Sequence, residues 1–393
     1  MKNQELNNKR KLLLGYTVSG FGDQFYTFAV PLLILAFNHS PVTMGLLTAT
    51  EYLPTALFGL VIGVLFDIYN KRRVMLITLL AQMGLVLLIP IMIFKQWPFW
   101  CLLTAIFVFG TFDLLSWVGY QTMLAESLSA EELAQVSGQV GLVSSIQRML
   151  GPGVASLIIN VMGYLSGFSL DSVSFGYLAY IIKDVHEDDV SPKTQNIKDK
   201  ITAGLKFIWQ NQQLKWLIAG FFVANLGFQV VVPMLTFTLK QYLKVSVSMV
   251  SVFFTAAAIA SILANFIYLH FNQKIKLGLQ LIISGSLILA GFMLMLLLNS
   301  LLTVTLGYIL VSFGSVWSQA NFFTIVQALT KKEYRGMVTS AATTLTRIMG
   351  AVMAVVSGFL AKIDIHLIFI TAASMMLISI YIMCEKHLIK LTL

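Results

Sequence analysis

The chain has 393 residues, of which 58% are hydrophobic and only 11% are charged, and its formal net charge is +9 at pH 7. Soluble domains carry about 25% charged residues, so a soluble core could not cover this much apolar surface. The composition therefore excludes a soluble globular protein and predicts an all-α polytopic membrane protein. The basic start leads into an apolar run that is too long for a cleaved signal peptide, so we expect the first span to be retained.

Hydropathy predicts twelve membrane-spanning helices, because about 20 apolar residues are needed for each crossing. In chain order they cover residues 12–37, 42–66, 74–94, 100–124, 136–162, 164–183, 216–239, 245–269, 277–299, 301–328, 336–361 and 366–384. The longest polar loop then divides the chain into an N-terminal six-helix bundle (1–183), a cytoplasmic linker (184–215) and a C-terminal six-helix bundle (216–393). Apolar residues at helical spacing in 201–209 predict an amphipathic helix on the inner membrane face.

The distribution of basic residues predicts the orientation of the spans. The termini and the even-numbered loops hold 20 of the 26 lysines and arginines, whereas the odd-numbered loops hold four. Basic loops stay on the cytoplasmic side, so we expect both termini in the cytoplasm and the protein in the cytoplasmic (cell) membrane. Attraction of these loops to the inner leaflet explains the net charge, so no nucleic-acid partner is expected.

The sequence predicts no metal site and no cofactor. The two cysteines, Cys101 and Cys384, lie in separate spans, and the histidines show no metal-ligand spacing. The nucleotide-binding pattern G-x-x-x-x-G-K-[ST] is absent. We therefore do not expect ATP to drive this chain.

The two halves of the chain resemble each other in sequence. D-Q-F-Y-T-F-A-V-P-L-L, which begins at Asp23, aligns with N-L-G-F-Q-V-V-V-P-M-L, which begins at Asn225. At nearly the same offset, SSIQRMLG aligns with TTLTRIMG and pairs Arg148 with Arg347. Parallel halves with binding groups near the midplane are typical of secondary transporters.

GVLFDIYNKRR at residues 63–73 resembles the signature of the loop between spans two and three in the major facilitator superfamily, G-x-L-x-D-R-x-G-R-[RK]. The resemblance implies the major facilitator fold, with two pseudo-symmetric six-helix bundles. It also implies a conformational latch, in which Asp67 would meet the start of span eleven. The latch residues would be Gly63, Asp67, Lys71, Arg72 and Arg73. DSVSFGYLAYII, GLKFIWQNQQLKWL and KKEYRGMV resemble the macrolide-efflux and enterobactin-exporter branch.

Charged residues inside predicted spans indicate a candidate coupling site. An Asp or Arg at mid-bilayer costs about 2.5–3.5 kcal/mol, so such residues face a cavity or a partner. A carboxyl group whose exposure alternates can exchange a proton, and we expect Arg148 to pair with one acid. The candidates are Asp23, Glu51, Asp113, Arg148 and Arg347. Asp171, at the start of span six, is expected to serve in capping or packing.

Amide and aromatic residues in the spans predict an amphiphilic substrate cavity. Its candidate residues are Tyr26, Trp117, Tyr120, Asn225, Gln229, Gln319 and Asn321. For the aromatic residues, packing or contact with lipid is an open alternative.

The sequence favours a secondary active transporter over an enzyme. GFGD at residues 20–23 matches the GxGD pattern of intramembrane aspartyl proteases, but their Tyr-Asp partner motif is absent. The leading hypothesis is a monomer that exports an amphiphilic small molecule, a drug such as a macrolide or a siderophore-like metabolite, by alternating access coupled to protons. Its partners would be the lipid bilayer, the substrate and protons. A proton-coupled importer, a lipid or metabolite carrier, a non-transporting receptor and the protease are the alternatives.

Overall fold

The computed structural model describes residues 2–59, 62, 65–66, 69–126, 130–183, 209, 211–271, 275–330 and 335–384. The long helices are α1 (Lys2–Phe37), α2 (Pro41–Phe58), α3 (Lys71–Phe94), α4 (Phe99–Glu126), α5 (Ala130–Lys183), α6 (Gln212–Val231), α7 (Val247–Phe271), α8 (Leu277–Leu296), α9 (Leu301–Leu329), α10 (Arg335–Ile363) and α11 (His366–Met383).

Helix α5 contains two membrane spans. It is divided at Gly163, whose φ of 80° and ψ of 172° are not helical and fall where only glycine is unstrained. This break lies between the predicted spans 136–162 and 164–183. Ten helical segments of the described chain are long and apolar enough to cross a membrane, and Val136–Lys183 is long enough to cross twice. These ten segments therefore provide eleven crossings. Helix α2, whose continuation beyond Phe58 is described only in part, supplies the twelfth, in agreement with the predicted number.

The helix that follows the linker ends irregularly at Pro233. Helix α6 gives way to a 3₁₀ turn at Val232–Met234, a short helix at Leu235–Phe237 and a π-helical turn at Thr238–Tyr242. Proline lacks a backbone N–H and disrupts the regular helical hydrogen bonds. Pro31, its counterpart in the sequence repeat, lies inside the uninterrupted α1.

Contacts between Cα atoms group the chain into two compact units. Unit 1 comprises Met1–His39, Thr50–Thr194 and Ser246–Thr255, and unit 2 comprises Ser40–Ala49, Gln195–Val245 and Ala256–Leu393. The domain limits at residues 183 and 216 stay a prediction. The amphipathic helix predicted at 201–209 lies outside the described residues, apart from Trp209.

In unit 1, α1 and α3 both pack against α5, and α3 also packs against α4. Polar side chains hold α1 to α5 near the start of the membrane span. The Gln147 amide donates to the carbonyl oxygen of Thr17 at 3.0 Å, and the hydroxyls of Tyr16 and Ser144 lie 2.8 Å apart. Such bonds fix the rotation of α1 and therefore the direction in which its polar residues point.

In unit 2, α8 packs against α9, and α6 packs against α11. Ser379 Oγ donates to the Gly220 carbonyl oxygen at 2.7 Å and joins α11 to α6. The apolar core between these helices consists of Leu214, Leu217, Leu277, Leu281, Phe322, Ile325, Val326 and Met383.

Candidate coupling and substrate sites

Three acidic side chains predicted for proton coupling lie in unit 1, each on a different helix. Asp23 on α1 and Glu51 on α2 are partly buried, whereas Asp113 on α4 is exposed. The carboxyl groups of Asp23 and Glu51 each lie close enough to that of Asp113 to interact electrostatically. The fold therefore brings the three acids into one region.

The two arginines predicted inside spans are both exposed. Arg148 on α5 contacts Ser145 Oγ through its Nη2 atom at 3.5 Å. Among the described side chains, no ion pair joins Arg148 to an acid, so the expected pair is not found in this structure. Arg347 lies on α10 in unit 2.

The aromatic residues predicted for the cavity have different environments. Tyr26 is only 7% exposed, and its ring stacks on Phe109 with the centroids 4.3 Å apart. Tyr120 is also buried and stacks on Tyr16 at 4.8 Å. Trp117 approaches the same Tyr16 ring at 6.1 Å but is exposed, so it alone of these three predicted residues presents a large free surface.

Unit 2 contains a small amphiphilic cavity that is lined by α6, α8 and α9. It has a volume of about 150 Å³ and is lined by Phe221, Ala224, Asn225, Phe228, Ile288, Ser315, Ser318 and Gln319. Asn225 and Gln319 thus line the same cavity, and their role in substrate binding stays a prediction. The volume is below the roughly 300–1,000 Å³ of sites that enclose a drug-sized ligand, so this cavity fits one part of such a molecule.

The other two predicted amides of unit 2 are buried and do not line this cavity. Gln229 is 9% exposed and Asn321 is fully buried. Among the described residues, neither the Asn321 amide oxygen nor its nitrogen has a hydrogen-bond partner.

The predicted latch is described only at its basic end. Lys71, Arg72 and Arg73 form the first turn of α3, where the Asn70 side chain caps the helix by accepting from the Arg73 backbone N–H at 2.9 Å. Gly63 and Asp67 lie outside the described residues. The role of Asp67 therefore stays a prediction.

The glycines of GFGD allow α1 to approach α5 at two places. A Cβ atom on Gly20 would overlap the Gln147 amide, and one on Gly22 would overlap the Asp171 carboxyl group. Asp171 is 1% exposed. The sequence stretch that resembles a protease motif is thus a packing surface in this fold.

Gln82 is a buried polar residue that the sequence analysis missed. Its side chain is fully buried on α3 beside the Asp113 carboxyl group, without a hydrogen bond of regular geometry to it. A polar amide in the otherwise apolar predicted span 74–94 could have indicated a buried polar site from the sequence.

Comparisons with known proteins identify the family. The family model described as Major Facilitator Superfamily matches residues 12–354, with a second match at 220–390. Macrolide efflux protein A of Streptococcus pyogenes is 20% identical over 295 residues, which cover 71% of this chain and 73% of that protein. The uncharacterized MFS-type transporter YfiS of Bacillus subtilis (strain 168) is 24% identical over 221 residues, which cover 54% of this chain and 51% of YfiS. This last match thus spans about half of each protein.

Solved structures show the same fold at low sequence identity. A bacterial homologue of the iron transporter ferroportin, in an inward-facing state, has a TM-score of 0.78 at 15% identity, over 97% of this chain and 98% of that chain. The nucleoside transporter NupG has a TM-score of 0.76 at 12% identity, over 98% of this chain and 100% of that chain. Because the family model covers most of the sequence and the helices form the corresponding fold, the chain belongs to the Major Facilitator Superfamily of membrane transporters.

Proposed function

We propose that this multi-pass membrane protein is a proton-coupled secondary transporter that exports amphiphilic small molecules by alternating access. The observation that carries the proposal is the group of acids in unit 1. Asp23, Glu51 and Asp113 lie on three helices, and no ion pair joins them to a basic residue in the described part of the chain. A charged carboxylate in a membrane span is costly without a partner. Reversible protonation as the exposure of these groups alternates would couple the transport cycle to a proton gradient.

The amphiphilic substrate is supported by the cavity of unit 2. The phenyl rings of Phe221 and Phe228 offer apolar contact, and the amides of Asn225 and Gln319 offer hydrogen bonds without a charge. The direction of transport and a macrolide-like substrate are supported by similarity to Macrolide efflux protein A. The same proposal includes a monomer in the cytoplasmic membrane with both termini in the cytoplasm.

Inverted membrane vesicles that contain the full chain test this function with a macrolide as the probe. An exporter driven by proton antiport should accumulate the macrolide when the vesicle lumen is acidic, and collapse of the gradient should abolish accumulation. Asp23→Asn should remove the dependence on the gradient. Asp364→Asn, which changes an exposed acid between α10 and α11, is the matched control and should retain it.

Three results would contradict the proposal. Macrolide uptake could be independent of the gradient in the unsubstituted protein. Asp23→Asn could leave the gradient dependence unchanged. Proton-driven movement of the probe out of the inverted vesicles would instead support the importer.

A further inference from the structure

Besides the Tyr120 hydroxyl, three buried side chains in the described part of unit 1 carry polar atoms without partners. They are the Tyr26 hydroxyl, both amide atoms of Gln82 and the Asp171 Oδ2 atom. The three side chains are 7%, 0% and 1% exposed, respectively. Buried polar groups almost always have a hydrogen-bond partner or a bound water or ion, because burying them unsatisfied is costly. Such atoms gathered in one place therefore indicate a ligand.

Contacts between helices place these residues at one level of unit 1. Ser172 Oγ on α5 donates to the Met83 carbonyl oxygen on α3 at 2.9 Å. Their sequence neighbours, Asp171 and Gln82, therefore lie at the same level of two packed helices. Helix α1 reaches this level at Gly22, where the absence of a side chain lets the backbone approach the Asp171 carboxyl group.

Tyr26 completes the group from α1, one turn after Gly22. Its ring stacks on Phe109, one turn before Asp113 on α4. The Tyr26 hydroxyl lies close enough to the carboxyl groups of Glu51, Asp113 and Asp171 to interact electrostatically. Asp171, Gln82 and Tyr26 thus bring buried oxygen atoms from α1, α3 and α5 into one region of unit 1, beside the exposed Asp113 on α4.

The charge of this position is not balanced by a described residue. Asp171 interacts electrostatically with Asp113 and Asp23, and no ion pair joins any of them to a base among the described side chains. The Asp171 Oδ1 atom accepts a long hydrogen bond from Ser174 Oγ at 3.4 Å, whereas its Oδ2 atom has no partner. A proton would neutralise one carboxyl group but would leave the Gln82 carbonyl and Tyr26 hydroxyl oxygens without ligands. A cation would neutralise the carboxylate and coordinate both neutral oxygens, whereas the Gln82 Nε2 donor would need a separate acceptor.

The available ligand atoms select the type of cation. Carboxylate, amide carbonyl and hydroxyl oxygens are hard ligands, which suit hard cations rather than zinc or copper. The described residues contain no group of three or more acidic, cysteine or histidine side chains placed to hold one metal ion. The site would therefore combine one carboxylate with neutral oxygens, a low-charge set that gives moderate affinity.

We propose that Asp171, Gln82 and Tyr26 form an internal binding site for a hard cation, with Na⁺ and Ca²⁺ as the two candidate ions. The bound ion would join α1, α3 and the second span of α5. This site does not depend on the proposed export function, and it departs from the expectation of no metal site drawn from the sequence.

Thermal unfolding of the purified full chain in detergent tests the site. NaCl and CaCl₂ would be titrated separately into a buffer of N-methyl-D-glucamine chloride at constant ionic strength. A ligand that binds only the folded state raises the unfolding temperature in a saturable way. We expect a saturable rise of several degrees with one of the two ions. A rise with Na⁺ alone assigns a monovalent site, and a rise at lower Ca²⁺ concentrations assigns a divalent site.

Two substitutions at the site and one control make the test specific. Asp171→Asn and Gln82→Leu should each abolish the rise, so the test survives if one variant fails to fold. Asp364→Asn, on an exposed loop, should keep the rise in full. The proposal is overturned if neither ion stabilises the unsubstituted protein, or if both site variants retain its full response. Stabilisation by acid alone, without any ion effect, would show that protons occupy the position and would also overturn it.

Discussion

Replacing glycine by alanine where α2 meets α10 should destabilise unit 2. A Cβ atom on Gly358 would lie 2.9 Å from both the Pro41 carbonyl oxygen and the Val42 Cα atom. A Cβ atom on Gly45 would overlap the Ala354 carbonyl oxygen and lie 3.2 Å from the Gly358 Cα atom. The obstructing atoms belong to the backbone, so rotation of a side chain cannot make room for the methyl group.

The size of the effect follows from these distances. Carbon atoms in good contact are about 3.5–4.0 Å apart, so the helices would have to separate by roughly 0.5–1 Å. Overpacking of this kind typically costs about 1–3 kcal/mol. Alanine in place of helical glycine gains about 0.5–1 kcal/mol through lower backbone entropy in the unfolded chain. A control glycine without neighbours should show that gain alone, so the difference between the two classes of site should be about 1–3 kcal/mol.

Gly84 on α3 provides the control, because a Cβ atom there would meet nothing within 4 Å. The assay is thermal unfolding of Gly45→Ala, Gly358→Ala and Gly84→Ala in the same detergent. For a unit of this size, 1 kcal/mol corresponds to about 2–4 °C. Gly45→Ala and Gly358→Ala should therefore melt several degrees below Gly84→Ala. The reasoning is refuted if either variant melts at or above the control.

Two further predictions concern a buried hydrogen bond and an exposed acid. The Trp317 indole N–H donates to Gln280 Oε1 at 2.9 Å, so Gln280→Leu should lower the stability by about 1–3 kcal/mol. The double variant Gln280→Leu/Trp317→Phe should lose less stability than the two single variants lose together, because both single changes break the same bond. Additive melting shifts would contradict that bond. Hydrogen bonds from the backbone and side chain of His366 lower the pKa of Asp364. This stabilisation is present above the unfolded-state pKa, about 3.9, and is lost as the pH falls through the folded-state pKa. His366→Ala keeps the backbone donor, so carboxyl NMR titration should show only a partial return of the Asp364 pKa. An unchanged pKa would exclude the side-chain contribution.

The helices could be predicted from the sequence because hydropathy is a local property of the chain. Hydropathy also separated the two spans of α5 at the right place. The helix breaks there at Gly163, because glycine readily adopts a positive φ. The contacts of GFGD could not be predicted in this way. Gly20 and Gly22 face Gln147 and Asp171 on the two spans of α5, and that arrangement depends on how helices distant in sequence rotate against each other.

The sequence likewise predicted the depth of the polar residues in the membrane but not which of them pair. Spacing placed Asp23, Glu51 and Asp113 inside spans, and the fold brings them together. The sequence favoured a pair between Arg148 and an acid because opposite charges lay at similar depth. In the structure the guanidinium group contacts Ser145 on its own helix instead. Depth follows from position along a span, whereas pairing also requires the two side chains to share a face.

The sequence repeat explains why Asp23→Asn can separate proton exchange from folding. Asn225, the counterpart of Asp23, donates its amide to the Phe221 carbonyl oxygen one turn earlier at 2.8 Å, so asparagine satisfies itself within the helix at this position of the repeat. An asparagine at position 23 would have the Ser19 carbonyl oxygen available in the same way, because helical residues four apart are neighbours. A protonated Asp23 could donate to that oxygen, but a carboxylate has no hydrogen to donate.

Asparagine at this position should therefore imitate the protonated state without titrating. If Asp23 exchanges a proton in the transport cycle, Asp23→Asn should keep the unfolding temperature within a few degrees of the unsubstituted protein while the vesicles lose gradient-driven accumulation. Counterflow, in which unlabelled macrolide inside the vesicles drives entry of labelled macrolide without a proton gradient, should then persist. A variant that loses counterflow and stability together would show that the Asp23 carboxylate is needed for the fold itself.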